Sequence, residues 1–224
     1  ADVVVENYRR GVAERLGIDF EAVRKVNPRV IYCSISGFGD SGPRREQAAY
    51  DSVMQAFVGI MHMTGAPGTP PARASVSICD VSAAMYANQA ILLALAARER
   101  TGKGRVIEVS LFHVIADWMN VPYLQSRYGE KKPARMGLKH PTIAPYGAYT
   151  CADGKAVLIS IQNEREWSQF CADVLGDAAI ATDTRFANNS KRVANRPELE
   201  ALIVPIFAAL PREAIIEKLN HARI

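Results

Sequence analysis

The chain has 224 residues, with 27 Lys and Arg against 23 Asp and Glu and a hydrophobic content of 49%. That apolar fraction excludes a disordered chain, which could not offset the entropy of ordering. The formal charge of +4 is spread as 13 basic and 12 acidic residues over 1–120 and 14 and 11 over 121–224, without the basic face of a nucleic-acid binder.

The chain opens Ala-Asp-Val-Val-Val-Glu-Asn, with no initiator Met and no leader. Residues 3–5 read as a buried strand with nothing before them to pair with. Residues 213–224 read as a helix running out at Ile224. Both ends predict a piece of a longer polypeptide. A helical turn follows at 12–16, then a helix over 20–26 with Asp19 as N-cap and Asn27-Pro28 as its stop. Residues 30–35 form a second predicted strand, ended by Gly37, Gly39, Gly42 and Pro43. Strand–helix–strand is the pattern of parallel sheets with helical crossovers.

Residues 50–63 have mixed helical character, 65–71 form a loop, and Ala74 to Cys79 is β-like. Asp80 then opens the longest helix. Val81, Ala84, Met85, Ile91, Leu92 and Leu95 recur on one face, and Arg98, Arg100 and Gly102 close it. Polar residues interrupt the long apolar runs, so no segment reads as a membrane span. A strand over 106–109 and an apolar helix over 111–127 follow.

Lys131, Lys132, Arg135 and Lys139 cluster in a Gly- and Pro-containing stretch, read either as a solvated linker or as a site for an anion. Beyond it, strands at 146–149 and 156–161 join through Ala152-Asp153-Gly154, and helices follow at about 164–175, 196–209 and 211–221. The expected fold is α/β: a doubly wound part over 1–127, a linker over 128–140 and a smaller α+β part over 141–224.

Cys33, Cys79, Cys151 and Cys171 make no C-x-x-C pair, and His62, His113, His140 and His221 are equally dispersed. No metal site is expected, and reduced thiols fit a cytoplasmic protein. No G-x-S-x-G, Walker loop or H-E-x-x-H occurs. The residue of most chemical interest is Asp80, either a helix N-cap or a carboxylate nucleophile at a helix start. Tyr50 is a half-buried aromatic or a site residue, Asp51 a cap of the helix that follows or a site residue, and Arg15 a solvated charge or a phosphate clamp.

Five segments together resemble the class III CoA transferases, the formyl-CoA and carnitine-CoA transferase family. They are ADVVVENYRRGVAERLG (1–17), NPRVIYCSISGFGDSGP (27–43), AYDSVMQAFVGIMHMTG (49–65), the Asp80 helix ending RERTGKGRVIEVSL (98–111), and HPTIAPYGAY (140–149). The resemblance implies a Rossmann-like large domain, a linker and a truncated small α+β domain, taken from the middle of a chain that forms interlocked homodimers. It implies coenzyme A as co-substrate, no metal, and acyl-CoA and carboxylate substrates, with no nucleic-acid or membrane partner. Asp80 matches the family's catalytic aspartate. Asn7, Tyr8, Arg9, Arg15 and Leu16 match CoA-contacting positions. Ala48, Ala49, Tyr50 and Asp51 match a segment lining the acyl site, with Ala48 where many members carry a larger or basic side chain. The start of the Asp80 helix would keep that carboxylate ionised, and nearby N–H groups would stabilise oxyanions.

In place of the glycine run of the formyl-CoA enzymes stands His140-Pro141-Thr142-Ile143-Ala144-Pro145-Tyr146, which looks like members acting on succinyl-CoA and C4–C5 dicarboxylates. His140, with Lys139 or Arg135, would hold a distal carboxylate; the alternative is a proline-fixed linker. Two other functions compete. A 2-methylacyl-CoA racemase would carry His where this chain has Tyr50. A non-catalytic CoA-binding paralogue would form no aspartyl-CoA thioester.

Overall fold

A computed structural model describes residues 1–130 and 132–224. They divide into two compact units, Ala1–Arg135 and Met136–Ile224.

The first unit is built on a parallel sheet of β1 (Val3–Glu6), β2 (Ile31–Ser36) and β3 (Arg105–Ser110), in that order. Val3 pairs with Ile31 and Glu6 with Ser34, so β1 is paired along its whole length rather than left alone. Ile31 pairs with Arg105 and Ser36 with Ser110. Helices α1 (Val12–Leu16) and α2 (Phe20–Val26) cross from β1 to β2. Asp19 caps α2 as expected, its carboxylate accepting from the Glu21 and Ala22 amides. Helices α3 (Asp51–Phe57), α4 (Ile60–Met63) and α5 (Ile78–Thr101) cross from β2 to β3. The apolar stretch after β3 is not one helix but two, α6 (Leu111–Trp118) and α7 (Asn120–Tyr128), broken at Met119.

Helix α5 departs from expectation in three ways. It starts at Ile78, two residues before Asp80, and the segment preceding it is not a strand. Its buried face is Cys79, Ser82, Ala83, Ala87, Ala94 and Arg98, whereas Val81, Met85 and Leu92 are exposed. Small side chains let the helix lie close to the sheet, and of the expected face Ile91 and Leu95 still pack against the core, while Val81, Met85 and Leu92 point away. At 24 residues and a windowed hydropathy of 1.4, α5 is also long and apolar enough to cross a membrane by composition alone, contrary to the sequence reading. It packs on β2 and β3, and Arg98 inside it donates to the Arg29 carbonyl and to Asp2.

The second unit has an antiparallel hairpin of β4 (Tyr146–Thr150) and β5 (Ala156–Ser160). Four helices follow: α8 (Glu164–Gln169), α9 (Asn189–Ala194), α10 (Arg196–Ala209) and α11 (Arg212–His221). The end of the first predicted helix is a π-helical turn at Phe170–Leu175, and the short 3-10 segment at Ala178–Thr182 and α9 are additions to the expected elements. Trp167, Phe170, Phe186, Ile203 and Phe207 form a core around Arg192, whose guanidinium lies 4.9 Å from the Trp167 ring centre. Arg192 donates to the Ala144 and Phe186 carbonyls and to both carboxylate oxygens of Glu164.

Candidate active site

Ligands of open α/β sheets bind beyond the carboxyl ends of the strands. A cleft of about 590 Å³ occupies that position beyond β1 and β2 in the first unit. It brings together Asn7, Tyr8 and Arg9 from the end of β1 with Ala48, Ala49 and Tyr50 from the segment before α3. Asn7 is fixed by a 2.7 Å hydrogen bond from its side-chain amide to the Ile35 carbonyl. Gly37 allows the 48–50 segment to approach, because a β-carbon at position 37 would collide with the Ala49 methyl. Arg15 and Leu16, expected to contact the same ligand, are exposed on α1 and do not line the cleft.

The lining is of mixed sign, with Glu6, Glu14, Asp19, Asp40 and Glu46 beside Arg9, Arg10 and Arg45. Arg10 and Arg45 both pair with Glu46, and Arg10 also donates to the Asp40 carbonyl. Among the described residues Arg9 makes no ion pair, so it is the cleft cation left available to an anion. Sequence reasoning missed Arg10 and Arg45; the only signal was the place of Arg10 beside Arg9.

Tyr50 is exposed at the cleft, and the next residue, Asp51, turns inward and is buried. Asp51 does not cap its own helix. Its Oδ2 accepts from the backbone amides of Cys79 at 2.8 Å and Asp80 at 3.4 Å, the first turn of α5. Its Oδ1 accepts from the Gln55 side-chain amide at 2.6 Å. Gln55, fully buried, also accepts from the Ala74 amide through Oε1 at 2.9 Å. Gln55 was missed in the sequence; a polar residue four positions after Asp51, on the same helix face, was its signal.

Asp80 is therefore not an N-cap. It lies in the first turn of α5, exposed, and its carboxylate accepts no hydrogen bond among the described residues. It does not line the cleft itself. Partial loss of its own hydration to the surrounding protein first, and the Asp51 carboxylate second, push its carboxyl above its ordinary value. The shift runs opposite to the one expected from the helix start, and two of the nearby backbone amides, those of Cys79 and Asp80, are bound by Asp51 rather than open to an oxyanion. Burial, with Asp51 and Asp80 nearby, pushes the neighbouring Cys79 thiol up to about 12, so it stays protonated and does not compete as a nucleophile.

His140 belongs to the second unit. Its ring stacks on Tyr146 with centres 5.1 Å apart, and Nδ1 accepts from the Thr142 amide. Of the basic cluster, Lys139 is paired with Glu200 at 2.6 Å, Arg135 donates to the His62 carbonyl, Lys132 is exposed, and Lys131 lies outside the described residues. Lys139 and Arg135 thus already have partners of their own.

The family model of CoA-transferase family III matches residues 1–224. The chain belongs to CoA-transferase family III. It is 38% identical to the acetyl-CoA:oxalate CoA-transferase of Acetobacter aceti, over 100% of this chain and 57% of that protein. It is also 38% identical to the succinate–glutarate CoA-transferase of Agrobacterium fabrum, over 91% of this chain and 50% of that one. A CAIB/BAIF family protein from Brucella suis superposes with a TM-score of 0.80 at 38% identity, over 99% of this chain and 58% of the other. The chain thus spans about half the length of the curated relatives it matches.

Proposed function

We propose that the whole protein transfers CoA from an acyl-CoA donor, succinyl-CoA or a related dicarboxylyl-CoA, to a carboxylic acid acceptor. The observation that carries this reading is the exposed Asp80 carboxylate, which accepts no hydrogen bond among the described residues and stands in the first turn of a helix whose amides are capped by Asp51. In the first step a carboxylate oxygen of Asp80 attacks the thioester carbonyl. The C–S bond breaks, CoA thiolate leaves, and an acyl-aspartyl anhydride remains. The thiolate then attacks the aspartyl carbonyl, releasing the donor acid and leaving an aspartyl-CoA thioester. The acceptor carboxylate attacks that thioester and expels the thiolate, which attacks the acceptor's acyl carbon and frees Asp80. A carboxylate suits this sequence because an anhydride retains the acyl-transfer potential of the thioester.

The cleft at the ends of β1 and β2 would hold CoA, with Arg9 on a phosphate and Tyr50 directing the acyl group toward Asp80. The names of the Acetobacter and Agrobacterium relatives support small dicarboxylates as substrates, and His140 would contact the distal carboxylate. In this reading residues 1–127 are part of a Rossmann-like domain, 128–140 a linker and 141–224 part of a small α+β domain, in a cytoplasmic interlocked homodimer. The test is a panel of acyl-CoA donors and carboxylic acid acceptors, with product CoA esters read by mass spectrometry. Succinyl-CoA with a C4–C5 dicarboxylate should give the acceptor's CoA ester; no exchange with any pair would refute the reading.

A further inference from the structure

We propose that Asp51 and Gln55 act together as a positioning pair for Asp80, an inference that rests on Asp80 being the nucleophile. The first amides of a helix lack intrahelical partners, and a carboxylate in the first turn commonly folds back onto them. In α5 the N-cap, Ser77, makes no side-chain cap bond. Asp51, reaching in from α3, takes the Cys79 and Asp80 amides instead. Those two donors are thereby closed to the Asp80 side chain, whose carboxylate accepts no hydrogen bond among the described residues.

Gln55 braces Asp51 through its other carboxylate oxygen. The Gln55 amide nitrogen holds Oδ1 at 2.6 Å, while its oxygen holds the Ala74 amide at 2.9 Å. The pair thus ties α3, the segment before α5 and the first turn of α5 into one unit. The carboxylate is specifically required, because all its contacts are donors. An amide at position 51 would turn an NH2 group toward either Gln55 or the Cys79 and Asp80 amides. Both side chains are buried, at 8% and 0% exposure, so neither touches solvent-borne substrate appreciably; both act through Asp80.

The experiment follows single-turnover acylation of the whole protein by succinyl-CoA or acetyl-CoA, whichever labels the unaltered protein. The reaction is quenched with hydroxylamine, and the modified residue is located by peptide mass spectrometry. Asp51→Asn and Gln55→Met should each slow labelling of Asp80 by about 10- to 100-fold, the cost of misplacing a reacting group. The acyl-CoA concentration giving half the maximal rate should not change. Labelling of Asp80 at the unaltered rate in a folded variant would overturn the pairing and leave Asp80 as nucleophile. A raised half-saturating concentration at unchanged maximal rate would make these residues binding groups and overturn it equally. No label, or label on another residue, in the unaltered protein would overturn the Asp80 assignment itself and the pairing with it. If Asp51→Asn does not fold, Gln55→Met decides, since it keeps the capping carboxylate and removes only its brace.

Discussion

Asp51 caps the helix that carries Asp80: its Oδ2 accepts from the Cys79 amide at 2.8 Å and lies 3.4 Å from the Asp80 backbone nitrogen. Two carboxylates 29 positions apart are thereby given different tasks. One is buried and bonded on both oxygens; the other is exposed and accepts no hydrogen bond among the described residues.

This arrangement fixes a pH dependence. Burial and the Asp51 charge both raise the Asp80 carboxyl from its ordinary 3.8. A nucleophilic carboxylate must be ionised, so activity is lost as pH falls through the raised value. The acid limb of kcat/KM, which reports the free enzyme, should lie above 3.8. In the residual activity of Asp51→Asn it should move down, because one source of the shift is gone.

Gly37 should tolerate no side chain. Its missing β-carbon makes room for the Ala49 methyl, and Ala49 leads directly into Tyr50 and Asp51. Gly37→Ala should push the 48–50 segment away and raise KM for acyl-CoA by about tenfold, of the order expected for a displaced binding group. Steady-state kinetics with varied acyl-CoA checks it.

The two arginines matched to CoA contacts should behave differently. Arg9 lines the cleft without an acidic partner, while Arg15 does not line it. Loss of one charge-assisted hydrogen bond costs about 1.5–3 kcal/mol, so Arg9→Ala should raise KM for acyl-CoA by about 10- to 100-fold. Arg15→Ala should change it little. The same kinetic series reads both.

In the second unit, Arg192→Met should destabilise by about 2–4 kcal/mol, because the Ala144 and Phe186 carbonyls lose their buried donor. Glu164→Gln should cost about 1 kcal/mol or less, since its side chain is 54% exposed. The bond from Arg192 holds the Glu164 carboxyl below its ordinary 4.5. Its contribution is therefore present above that value and lost as pH falls through the lowered one. Urea unfolding at pH 7 and at acid pH measures both effects.

Features set by neighbouring residues could be read from the sequence. The Asp19 cap and the Asp153-Gly154 hairpin depend on contacts a few residues apart, and β1, β2 and β3 stand out as short apolar runs bounded by turn residues although their pairing is long-range. The start of α5 was misplaced because its cap comes from Asp51, far along the chain. Only Ile91 and Leu95 of its expected face pack against the core, because alanines and large apolar residues repeat with the same helical period and only the sheet beneath decides which side is buried. At the site, Tyr50 and Asp80 were conspicuous as residue types. Gln55 was not, since its role exists only once α3 meets the segment at Ala74.

The central claim is that Asp80 becomes covalently acylated during turnover. Hydroxylamine trapping of the whole protein during reaction with acyl-CoA, followed by peptide mass spectrometry, tests it directly. A hydroxamate should form on Asp80 and be absent from Asp80→Ala, which should also lose transfer activity. A modified residue elsewhere, or undiminished transfer by Asp80→Ala, would contradict it.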